Sequence, residues 1–114
     1  MPMTDASPTE SPAALRGSQL VPEAGWSFLT NHAHVLFCIA QDPEIRIRDV
    51  ALKVGITERA VQRIVADLQA QGYVTIFKEG RRNRYRVNFD LPLRHPIERH
   101  RTVAALVRLV LDGE

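Results

Sequence analysis

Apolar and polar positions alternate along this chain with a period that changes several times. From residue 31 to 41 the rhythm is helical, with Val35, Leu36, Ile39 and Ala40 on one stripe. Thr30 can cap that helix, Trp26, Phe28 and Leu29 lead into it, and Asp42-Pro43 stops it. From Glu44 to Arg48 the period shortens to two. Ile45 and Ile47 fall on one side and Arg46 and Arg48 on the other, which predicts a very short strand. A second helix is expected over about Arg48–Val54, with Val50, Ala51 and Val54 inward, and Gly55 stands where a helix needs a left-handed stop. Thr57 can cap a third helix, Glu58–Gln71, whose buried stripe is Val61, Ile64, Val65 and Leu68. Gly72 ends it.

Period two returns in YVTIFKEGRRNRYRVNF, which reads as a hairpin. Val74 and Ile76 share its inner face with Tyr85, Val87 and Phe89, while Arg84 and Arg86 face outward. Gly80 supplies the turn, with Arg81, Arg82 and Asn83 in the loop. After a connector bearing Pro92 and Pro96, a final helix is expected over 96–111, opened by Pro96. Its stripe is Val103, Leu106, Val107 and Val110, widened by Leu109 and Leu111.

Residues 1–22 have neither rhythm. Pro2, Pro8, Pro12 and Pro22 interrupt them, so they are expected to form a mobile tail, leaving 23–111 as one domain. An apolar fraction of 45% supports one soluble core. No apolar run nears the ~20 residues of a transmembrane helix, and the start lacks the pattern of a secretory signal. A single cysteine, Cys38, excludes an internal disulfide or a cysteine-built zinc site within one chain, consistent with a reducing cytoplasm. Residues 44–90 hold ten Lys and Arg against six acids, whereas residues 1–43 hold one against four. A local basic excess of this kind suits a polyanionic partner.

The second and third helices meet several demands of a helix-turn-helix at once. Ala51 is small where the helices cross, Gly55 lies in the turn, Ile56 plugs it, and Val61 and Ile64 lock the third helix in place. A basic hairpin follows directly. Residues 26–90 therefore resemble the winged helix-turn-helix domains of bacterial and archaeal transcription regulators, the compact ArsR-type and MarR-type repressors most of all. ITERAVQRIVADLQAQGYV is similar to their recognition helix and following strand, and GRRNRYRV to their wing. The expected class is mainly α (α+β), with a two-stranded β wing and a C-terminal dimerisation helix.

The resemblance implies a recognition helix, residues 57–71, in the major groove of double-stranded DNA, and a basic wing, residues 78–86, on the backbone or in the minor groove. Helix geometry independently puts Thr57, Glu58, Arg59, Gln62 and Arg63 on the solvent side of the entering end. Arg59 and Arg63 can pair with guanine, Gln62 with adenine, and Glu58 can accept from cytosine. Thr57 is a cap first and a phosphate donor second. Lys78, Arg81, Arg82, Asn83 and Arg84 are the candidate wing contacts; Arg48 and Lys53 are candidate phosphate contacts or ordinary exposed charge.

Other chemistry is thin. There is no Ser-His-Asp spacing, phosphate-cradling glycine loop or carboxylate cluster, so no enzyme and no cofactor is expected. His32, His34, His95 and His100 are not spaced to share a helix face, and no metal site is expected within one chain. Trp26 and Phe28 could form part of a ligand pocket, though such aromatics more often anchor a terminal segment on the core. The apolar last helix, with Trp26–Phe37, is expected to form a two-fold homodimer. The rival readings are a winged helix used as a protein-interaction module, which would need no basic wing, and an effector- or metal-responsive repressor.

Overall fold

The computed structural model describes residues 25–112, so the expected tail, 1–22, lies outside the described residues. Helix α1 spans Asn31–Gln41, α2 Ile47–Val54 and α3 Glu58–Ala70. Strands β1, Val74–Glu79, and β2, Arg82–Val87, form an antiparallel hairpin, and α4 spans Val103–Leu111. The described residues thus form a four-helix α+β fold with one two-stranded sheet.

Each helix start has a local cause. Thr30, Thr57 and Thr102 sit in extended backbone before α1, α3 and α4, and their hydroxyls accept from the amides of Ala33, Ala60 and Ala105. Each occupies one of the amide donors that a helix N-terminus leaves without an intrahelical partner. Helix α2 ends at Gly55, whose φ of 84° is left-handed and whose amide donates to the Ala51 carbonyl at 2.8 Å. A side chain there would carry the roughly 1–2 kcal/mol cost of left-handed backbone. The chain therefore passes from α2 to α3 in only three residues.

The core lies where α1, α2, α3 and the inner face of the hairpin converge. Val35, Ile39, Val50, Val61, Val74 and Val103 are almost completely enclosed, with Leu36, Ile45, Ile64, Val65, Leu68, Tyr85 and Val87 around them. Burying such a side chain contributes about 1.5–3 kcal/mol, so the stripe on α3 fixes which face of that helix remains in solvent.

Four expectations need correction. Glu44–Arg48 is not a strand: Ile47 already begins α2, and Arg46 is its extended N-cap. Pro43 and the helix start leave too few residues to pair, and one rung survives, Tyr85 N–H donating to the Pro43 carbonyl at 2.8 Å. Second, Arg82 and Asn83 are strand residues, paired with Glu79 and Lys78, so the hairpin turns in Gly80-Arg81 alone. Phe89 falls beyond β2 and is partly exposed.

Third, the last helix begins at Val103, not Pro96. Its first two amides donate to the Leu91 and Phe89 carbonyls, at 2.9 and 3.0 Å, and Thr102 caps the next. Those partners exist only if the helix starts there. Residues 95–101 instead make successive turns, with Glu98 N–H donating to the His95 carbonyl and Arg101 N–H to that of Glu98. Fourth, Trp26 and Phe28 do not anchor on the core: they are 64% and 93% exposed and meet each other edge-on.

Candidate nucleic-acid interface

Helix α3 buries Val61, Ile64, Val65 and Leu68. At helical spacing that leaves Glu58, Arg59, Gln62 and Arg63 together on the outer side of its first two turns, and all four are exposed. None has a side-chain hydrogen bond or ion pair among the described residues. The surface thus presents two guanidinium groups, an amide and a carboxylate, all uncommitted. Thr57 is spent on its cap, its Oγ1 accepting from Ala60 N–H at 3.0 Å. The exposed amides and dipole of this helix end add positive potential, which the carboxylate of Glu58 locally offsets.

The wing cations divide into two groups. Lys78 and Arg81 are exposed and make no ion pair among the described residues. Arg82 Nη2 donates to the Glu44 carbonyl at 2.8 Å. Arg84 Nη1 lies 3.5 Å from Glu79 Oε1 and 3.8 Å from Glu44 Oε2. These two arginines tie the hairpin to the segment before α2, and Arg84 is partly neutralised by carboxylates. Asn83 is exposed within β2. Arg48 and Lys53 are exposed on α2.

Two contacts escape a sequence reading. Arg86 stacks over Phe77, its guanidinium carbon 4.9 Å from the ring centroid, on the outer face of the hairpin. The alternation that puts Val74 and Ile76 inside puts Thr75 and Phe77 outside, on the same face as Arg86; that alternation is the available signal. Glu44 as anchor for two wing arginines had no local signal, because its partners lie 38 and 40 residues away.

Residues 30–75 match a family model described as winged helix-turn-helix DNA-binding. The chain carries a winged helix-turn-helix domain. The match covers α1 through the first residues of the wing and does not distinguish an ArsR or MarR type. No curated protein matches the chain. No helix among the described residues is long and apolar enough to cross a membrane. Among those residues, no three His, Cys, Asp or Glu side chains gather as metal ligands would. Within the winged helix-turn-helix, His32 instead bonds the Asp67 carboxylate at 2.9 Å, and His34 the Asn31 side chain at 3.2 Å.

Proposed function

We propose that this protein is a cytoplasmic, sequence-specific, double-stranded-DNA-binding transcription regulator. It acts without catalysis or cofactor, as a two-fold homodimer that occupies operator DNA and so represses or locally activates. Helix α3 enters the major groove with Arg59, Gln62, Arg63 and Glu58 at the base edges. The wing rests on the backbone or minor groove through Lys78 and Arg81, with Arg82, Asn83 and Arg84 alongside.

The observation that carries this reading is the uncommitted polar set on the first two turns of α3. Base recognition needs donors and acceptors that the fold itself has not consumed. A surface used only for solubility has no need to gather bidentate donors at the end of a helix-turn-helix that enters a groove. The domain match over residues 30–75 supports the same reading.

The test is fluorescence anisotropy with duplexes enriched from a random pool, against scrambled duplex, over a range of salt. Selective binding that weakens steeply with salt is expected. Each phosphate contact removed should lower the log–log salt slope by roughly one, so Arg81→Ala should weaken binding to all sequences alike. Salt-steep binding without selectivity would replace the regulator reading with an architectural one. No binding at low salt would refute DNA recognition and favour a protein-interaction module.

A further inference from the structure

The outer face of the hairpin carries a surface of its own. Val74, Tyr85 and Val87 are buried in the core, so the residues of opposite alternation, Thr75, Phe77, Arg84 and Arg86, point away from it. All four are exposed. Arg84 stands directly across from Phe77, and Arg86 lies on the diagonal. The Arg86 guanidinium sits over the Phe77 ring, 4.9 Å from its centroid. The outward arginines of β2 are not alike. Arg82 donates to the Glu44 carbonyl, and Arg84 lies 3.5 Å from the Glu79 carboxylate. Arg86 makes no side-chain hydrogen bond or ion pair among the described residues, so the ring positions it and its donors stay free.

We propose that this face binds single-stranded nucleic acid, with an unpaired base stacked on the Arg86–Phe77 pair and the adjacent phosphate held by guanidinium donors of Arg86 and Arg84. A guanidinium is planar and delocalised. It stacks on nucleobases as it does on aromatic rings, and its donors project from the rim of that plane. A partner that uses both features is flat, open on its face and carries an anion beside it. An unpaired nucleotide has all three. A duplex covers its base faces with neighbouring pairs and shows only edges in its grooves. An acidic peptide would engage the charge and leave the ring idle. An exposed aromatic among cations on a sheet face is the arrangement that stacks single strands without sequence preference.

The platform is separate from the proposed duplex contacts. Arg86 lies four residues into β2 from Arg82, which at strand rise puts it about 13 Å from the turn that carries Arg81. The base-reading set belongs to a different element, α3. The proposal therefore goes beyond the duplex reading and does not depend on it. DNA and RNA strands share the chemistry that the platform recognises.

The test is anisotropy titration of the full chain, at low salt, into three labelled strands of about 12 nucleotides: oligothymidylate, oligouridylate and an abasic strand that keeps the phosphates. The wild type is expected to bind at least one base-bearing strand about fivefold or more tighter than the abasic one, and the tighter of the two names DNA or RNA as the source. Arg86→Lys keeps the charge and loses the plane, and Phe77→Leu keeps apolar bulk and loses the ring. Each should abolish the preference for bases while abasic affinity and circular dichroism stay nearly unchanged. Arg59→Ala combined with Arg63→Ala alters only α3 and should keep that preference. A wild type that binds abasic and base-bearing strands alike, an Arg86→Lys variant that retains the preference, or an α3 variant that loses it overturns the proposal. Duplex affinity is read separately: base preference without duplex binding would sink the regulator reading alone, and duplex binding without base preference would sink the platform alone.

Discussion

Cys38 is walled in by the packing of α1, and burial pushes its thiol above its ordinary value of about 9, an effect that Lys53 only partly opposes. The thiolate is the reactive form. Labelling by a disulfide reagent should therefore be slow in the folded protein and fast in denaturant. The sign for stability follows: a thiol titrating higher when folded stabilises below its unfolded pKa, and that contribution disappears as pH rises through the folded value. Urea midpoints should fall above about pH 9, and Cys38→Ala should flatten that fall while lowering the neutral-pH midpoint. A similar distinction separates two neighbouring arginines. Arg82 donates to the Glu44 carbonyl, while Arg81 makes no side-chain hydrogen bond or ion pair among the described residues. Arg82→Ala should cost about 0.5–1 kcal/mol of stability as well as DNA affinity, whereas Arg81→Ala should leave the melting temperature unchanged. Removing a side chain proposed to read a base should act differently again. Arg63→Ala or Gln62→Ala should erase about 1–3 kcal/mol of discrimination at one base pair, with scrambled-duplex affinity nearly constant. Equal loss on both duplexes would show that the residue reads no base.

At the scale of elements, the helix-turn-helix depends on a three-residue junction. Gly55→Ala should destabilise by about 1–2 kcal/mol through its left-handed backbone, and Thr57→Ala by about 1 kcal/mol through the lost cap. Thermal melts check both, and an unchanged melting temperature for Gly55→Ala would show that the junction rearranges. These positions are legible in the sequence because caps, glycine stops and helical stripes are local signals: the stripe and the Thr30 cap place the first helix at Asn31–Gln41, where α1 lies. The stripe of α3 likewise told which side chains remain outside. What the sequence hid depends on distant partners. Glu44–Arg48 alternates as a strand does, but Pro43 before it and the helix start at Ile47 leave it unpaired, the one rung to Tyr85 coming from Pro43. Pro96 looked like a helix start, and the main-chain acceptors of Phe89 and Leu91 moved that start to Val103. The wing loop was drawn too long because strand register, which places Arg82 opposite Glu79, is set across the hairpin. Arg82 and Arg84 also reach back to Glu44, a contact that no local pattern announces.

For the whole molecule, the proposed dimer makes a spatial prediction. Two recognition helices held by one two-fold axis read half-sites about 10 bp apart, or a multiple of that. Inserting five base pairs between the half-sites should rotate one of them to the opposite face of the duplex, and affinity should drop to that of a single half-site. Footprinting on a spacing series checks this, and indifference to spacing would mean that the two domains are not rigidly joined. The connector before α4 has a separate consequence. Leu93 N–H donates to the Arg101 carbonyl at 2.9 Å, and Pro92 bridges Thr102. The chain leaves the domain and re-enters it at nearly the same point. Residues 94–100 are exposed. A loop with joined ends can change length and composition without displacing what it joins. Such a segment can be replaced while the core and the outer face of α3 stay as they are. Copies of this protein that differ only there should fold alike.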